Sequence, residues 1–172
     1  MKTYLALASL LFASLALQLR AAPAEPTSPA APAAPTRELV IVVVDSVQQR
    51  PGAITDFDRI DMAFQHVAKQ RKWPIKIKSE RFADNSEPHA IELKVNNQRP
   101  REETQGDLTY RGWMTLTMDG AKHDFGIIKY QHYRRAGENM DDELEKVFRG
   151  AANVAAGKIE PILFPELAAT KR

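Results

Sequence analysis

The sequence predicts an α+β fold. It is a two-layer sandwich in which a mostly antiparallel sheet of about five strands carries two helices on one face, in the order β-α-β-β-β-β-α. Three observations predict it. Leu39 to Val44 is an unbroken, mostly β-branched apolar run. Two later stretches place apolar residues at helical spacing behind capping residues. Between them, apolar and polar residues alternate, and Asp119-Gly120 joins the last two alternating runs.

The first run, closed by Asp45 and Ser46, has the pattern of a strand buried on both faces and therefore central in its sheet. A polar turn with Pro51 and Gly52 follows. Thr55 then has the chemistry of an N-cap, with Asp56 and Asp58 placed to interact with the positive end of a helix dipole. Phe57, Ile60, Phe64, Val67 and the stem of Arg71 share one face of that helix. Its end is expected at Trp73, because Pro74 disfavours helical geometry in the residue before it.

Ile75 and Ile77 alternate with lysines, and Ile91, Leu93 and Val95 alternate with polar residues, which predicts two strands with one wet face each. The segment from Asn97 to Asp107 contains charged residues, Pro100 and Gly106 but no large apolar side chain, and is expected to be a surface loop. Asp119-Gly120 favours a two-residue type I′ turn. Counting back from it pairs Met118 with Ala121, Leu116 with His123, Met114 with Phe125 and Gly112 with Ile127 on the core face. Trp113 then falls opposite Gly126 on the other face, and Arg111, Trp113, Ile128 and Tyr130 share the open face. Asn139 is expected to cap the last helix, whose buried stripe is Leu144, Val147, Phe148, Ala151 and Ala155. Gly157 and Pro161 are expected to bracket its end, with residues 162–164 as a tail packed back on the domain.

Ahead of the domain, Lys2 precedes an uncharged run from Thr3 to Leu19, and Pro23, Pro26, Pro29, Pro32 and Pro35 recur at every third position. The pattern predicts residues 1–24 as an export signal or an uncleaved N-terminal anchor. Residues 25–36 are expected to form an extended Pro/Ala-rich linker, and residues 37–172 a single domain. Prolines three apart line one side of a polyproline II helix, which over residues 21–36 spans about 40 Å.

The chain has 24 basic and 22 acidic residues, but Lys2 and Arg20 lie in the predicted signal, so the remainder is formally neutral and gives no support to nucleic-acid binding. No cysteine is present, which excludes disulfides, thiolate metal sites, a cysteine nucleophile and lipidation of an N-terminal cysteine. The protein is therefore expected to be exported, either periplasmic or secreted, or anchored through residues 3–19.

Catalytic signals are weak. Asp45 ends a buried strand but has Val47 where a phosphotransferase of the haloacid dehalogenase type repeats the acid. Ser46 lacks the Gly-x-Ser-x-Gly elbow. The histidines His66, His89, His123 and His132 form no ligand pair, and His123 and His132, nine apart, fall on opposite faces of a regular strand. Asp56, Asp58 and Asp61 serve the helix dipole before they serve a cation. No catalytic residue, cofactor or metal site is therefore expected.

Two features suggest contact surfaces. A basic stretch contains Lys72, Lys76, Lys78 and Arg81 with Trp73 inside it, and positive charge of this kind concentrates anionic lipid or polymer. Lysines guarding a strand edge are the plainer account of it. The open sheet face carries Arg111, Trp113 and Tyr130, the residue types that contact surfaces use. Something must also cover the second apolar face of the first strand.

In element order, residues 37–164 resemble small envelope-accessory domains such as those of lipopolysaccharide-assembly lipoproteins, as topology alone. The leading expectation is a non-catalytic exported binding or assembly module whose partner is an envelope protein or a second copy of itself. The alternatives are a small hydrolase-like periplasmic enzyme using residues at the end of the first strand, or His123, and a structural membrane-tethered domain.

Overall fold

The structure is a computed structural model describing residues 37–45, 54–84, 87–104, 106–134 and 137–166. The predicted signal, the linker, Ser46 and the turn with Pro51 and Gly52 lie outside the described residues. The chain divides into 1–35 and 36–172, and the second unit carries its own core, built from residues between Leu39 and Phe164.

The α+β architecture and the element order are those predicted. They are β1 (Glu38–Asp45), α1 (Asp56–Arg71), β2 (Lys76–Arg81), β3 (Ile91–Thr104), β4 (Asp107–Met118), β5 (Ala121–Tyr133) and α2 (Met140–Leu163). The five strands form one mixed sheet in the order β2-β1-β3-β4-β5. β1 runs parallel to both β2 and β3, and the other two pairings are antiparallel. Its unbroken apolar run follows from this place between two strands, with Leu39, Ile41 and Val43 under the helices and Val40 and Val42 buried on the other face.

The cover of that second face follows from topology. β2 and β3 both run parallel to β1 and flank it, so the chain between them crosses β1. α1 occupies the helical side, and Phe82 and His89 lie on the open side. The Phe82 ring lies under Lys94 Nζ at 4.2 Å, and His89 Nε2 meets Glu80 at 3.2 Å, on the two strands that flank Val42.

Thr55 caps α1 in a reciprocal capping box: its Oγ1 accepts from the Asp58 N–H at 3.1 Å, and its own N–H donates to Asp58 at 2.8 Å. The Thr55 hydroxyl, donating to Asp58 Oδ2 at 2.5 Å, and then the Thr55 N–H hold the Asp58 carboxyl below its ordinary pKa. The helix ends at Arg71, two residues before the expected stop, because Lys72 adopts left-handed geometry with φ 56° and ψ 43°. Asn139 caps α2, and its apolar stripe is buried as predicted.

Four expectations are corrected. The segment from Asn97 to Asp107 is not a loop. β3 continues to Thr104 and pairs with β4 as far as Thr104 opposite Asp107, with shifts between Gln98 and Arg101 and between Glu102 and Thr104. Backbone pairing needs no apolar side chain, and Pro100, which has no N–H to offer a ladder, sits within the first irregularity.

α2 does not end at Gly157. It runs through Pro161 to Leu163, and residues 162–163 form its last turn rather than a separate tail. Burial of Ile159, Leu163 and Phe164 offsets the cost of proline, with the Phe164 ring 5.6 Å from that of Trp73.

The β4–β5 register holds from Met118 opposite Ala121 to Thr115 opposite Asp124, then slips by one. A bulge at Phe125-Gly126, with Gly126 at φ +64°, places Met114 opposite Gly126 and Trp113 opposite Ile127. Every side chain beyond it changes face. Ile128 is therefore buried under the helices, Tyr130 lies against Gly150 of α2, and Ile127 takes their place on the open side. Finally, His123 and His132 do not lie on opposite faces: opposite Leu116 and Leu108, both point to the helical side.

Candidate functional site

The proposed catalytic residues do not converge. Asp45 is level with Asn97 and, through it, with Gly112, whereas His123 lies opposite Leu116. Three strand spacings and four residues of rise separate their backbones by on the order of 20 Å. Among the described residues, no group of three or more His, Asp or Glu could hold a metal ion.

The group that most resembles an acid–base site lies at the start of α2. Glu143 is fully buried and meets His132 Nε2 at 2.9 Å and Lys146 Nζ at 2.5 Å, while Lys146 also reaches Glu138 at 2.9 Å. Hydrogen bonding with Glu138, then with Lys146 and His132, holds the Glu143 carboxyl down at about 2. A carboxylate held this firmly as an anion is a poor proton donor near neutrality. Its work is to tie β5 to α2.

The linkage has a definite sign. The folded pKa lies below the unfolded value, so the stabilisation is complete above the ordinary glutamate value of 4.5 and fades as pH falls towards about 2. Glu143→Gln should therefore be less stable than the wild type near pH 7 in urea titrations, with the gap narrowing below pH 4.5. A gap independent of pH would remove the ionic explanation.

The basic stretch is divided by the fold. Trp73 is only 7 % exposed, with its indole N–H 3.4 Å from Glu160, so it is a core residue and not part of a surface. Its place follows from the chain turning back after Lys72 beneath the last turn of α2. Arg71 bonds Glu160 at 2.6 Å. Arg81 reaches Thr55 Oγ1 at 3.1 Å and stacks 4.6 Å above Phe57, and Lys78 pairs with Glu80 at 2.7 Å. Lys69, Lys72 and Lys76 remain exposed with no acidic partner among the described residues. With Lys78 they line a groove of about 450 Å³ between the end of α1 and edge strand β2.

The open face is changed as well. Tyr130 leaves it for the helical side, and Ile127 joins it. Trp113 is 45 % exposed and Ile127 57 %, and the two are register partners. The next exposed pair is Arg111 and Lys129, with Glu103 reaching Arg111 at 2.6 Å and Lys129 at 3.8 Å. Beside them is a recess of about 280 Å³ lined by Val44, Asn96, Gln98, Arg111, Trp113 and Ile127. Ile127 was missed because the regular register placed it inward. Gly126 inside an apolar run was the available signal, since an isolated glycine in a strand marks a bulge.

No family model matches the chain, and no curated protein matches it. Solved structures align with part of the chain. An uncharacterized protein aligns at TM-score 0.50 and 14 % identity over 73 % of this chain and 92 % of its own. The PelC dodecamer from Paraburkholderia phytofirmans aligns at TM-score 0.43 and 7 % identity, over 69 % and 84 %. A Xanthomonas campestris protein of the DUF330 family model aligns at TM-score 0.40 and 14 % identity, over 84 % and 93 %.

Proposed function

We propose that the protein is an exported, non-catalytic binding or assembly module of the cell envelope. In this reading it contacts a protein partner, or a second copy of itself, through the open sheet face, and an anionic ligand through the lysines of the α1–β2 groove. The observation that carries the reading is the exposed Trp113–Ile127 pair beside a recess and next to Arg111 and Lys129, on the sheet face that carries neither helix. Large apolar side chains flanked by arginine are characteristic of contact surfaces. No helix among the described residues is long and apolar enough to cross a membrane. In this reading, a tether would be the apolar run of residues 3–19.

The test is a Trp113→Ala, Ile127→Ala double variant, compared with the wild type by light scattering and by pull-down from envelope extract. The variant should lose self-association or a wild-type partner while keeping its thermal stability within about 1 kcal/mol, as exposed positions do. Identical mass and identical partners would refute the sheet-face reading.

A further inference from the structure

We infer that the groove between α1 and β2 is a docking surface for a bilayer rich in acidic phospholipid. This deepens the proposed anionic-ligand reading and rests on it. Three observations carry it.

The first is charge. Lys69, Lys72 and Lys76 line one groove in which Glu38 is the single acid, and Lys78 beside them is paired with Glu80 at 2.7 Å. The attraction of Lys69 to the carbonyl end of α1 explains one of them. It does not account for Lys76 on a strand. Groups of lysines on one surface attract anionic headgroups, each adding roughly the same increment of binding.

The second is conformation. Lys72 sits at φ 56°, ψ 43°, the left-handed cap geometry for which glycine is the usual and more stable choice. A lysine there gives up stability and gains a charge at the rim of the groove.

The third is where the chain enters. The carbonyl of Arg37, the first described residue, accepts from the Lys76 N–H at 3.0 Å, and Glu38 lines the groove. The covalent link to the preceding residues therefore joins the domain at this rim. The floor of Ala68, Trp73 and Ile77 is buried or half-buried, so the groove presents headgroup-binding charge and not a seat for acyl chains.

The experiment uses residues 37–172, whose core is self-contained, so that the apolar run cannot insert. Sedimentation is measured with vesicles of phosphatidylcholine alone and with about 30 % phosphatidylglycerol, at low and near-physiological salt. Binding is expected only to the acidic vesicles and should weaken with salt. Lys72→Glu with Lys76→Glu should reduce it at least about tenfold.

Lys72→Gly should reduce binding several-fold while raising the melting temperature by about 3 °C, which separates lost charge from lost fold. Lys122→Glu with Arg134→Glu, on and just beyond the far edge strand, changes the net charge equally and should leave binding within about twofold. Equal binding to neutral vesicles, equal loss in the far-edge variant, or capture of polyglutamate without vesicle binding would each overturn the inference. None of these outcomes bears on the sheet-face reading, which is scored without vesicles.

Discussion

Inserting an alanine between Ile127 and Ile128 should destabilise the domain by more than about 4 kcal/mol, enough to unfold it or leave it without cooperative unfolding. The bulge at Phe125-Gly126 supplies the one extra residue that shifts β5 relative to β4. A second extra residue beyond it cancels that shift of face, because a one-residue slip turns every later side chain to the opposite side of the sheet. Ile128 and Tyr130 would leave the helical layer for solvent, while Lys129 would be driven under α2. Loss of Ile128 burial alone is worth roughly 1.5–3 kcal/mol, and an unpaired lysine in its place adds the desolvation of a charge.

Gly126→Ala separates the backbone from the register. Its φ of +64° disfavours alanine, but an added Cβ would meet nothing within 4 Å, so about 1 kcal/mol is expected. Urea unfolding followed by circular dichroism measures both variants. An insertion variant that unfolds cooperatively within about 1 kcal/mol of the wild type would show that the residue count after the bulge does not set the face of β5.

Phe148→Ala should cost about 3–5 kcal/mol, whereas Val154→Ala on the outer side of the same helix should cost little. Phe148 is buried, and its ring meets Tyr110 edge-on at 5.3 Å, joining α2 to the middle of β4. Tyr110 is only 1 % exposed and cannot swing into the space left behind, because its ring already lies along the strand over Gly112, where an added Cβ would collide with it. The cavity therefore stays open, and the loss includes a cavity term as well as a transfer term.

The Tyr110 hydroxyl has no hydrogen-bond partner among the described residues, and burial, then the charge of Asp56, raises its pKa. Tyr110→Phe should therefore be neutral or slightly stabilising, and a double-mutant cycle with Phe148→Ala should show a ring–ring coupling of about 0.5–1.5 kcal/mol. Equal losses at Phe148 and Val154 would mean that α2 packs through another face.

Most of the elements were legible because they rest on local rules. The Thr55 and Asn139 caps, the 3.6-residue stripes and the Asp119-Gly120 turn each act within a few residues, and the structure keeps all of them. The extension of β3 to Thr104 was not legible, because its pairing uses backbone groups that every residue carries. Nor was the burial of Trp73, whose partners Glu160 and Phe164 lie some ninety residues further along the chain. The continuation of α2 through Pro161 was hidden for the same reason, since local propensity argues for a stop and distant packing overrules it.

The candidate surfaces were legible only in outline. Composition pointed to Trp113, Arg111 and a run of lysines. The bulge exchanged Tyr130 for Ile127, and the fold removed Trp73 from the surface and paired Arg71, Lys78 and Arg81 with neighbours.

What the sequence by itself determined was the order and kind of the elements, the formal neutrality of the chain beyond Arg20, the absence of thiol chemistry and the signal-like pattern of its first residues. These depend on periodicity, capping and composition, which act locally. Only the tertiary structure decided which charges remain free, which aromatic residues face solvent and what covers β1. Each of those depends on which distant segment arrives alongside. The face of a side chain depends on every residue between it and the turn, so one unpaired residue was enough to redraw the surface.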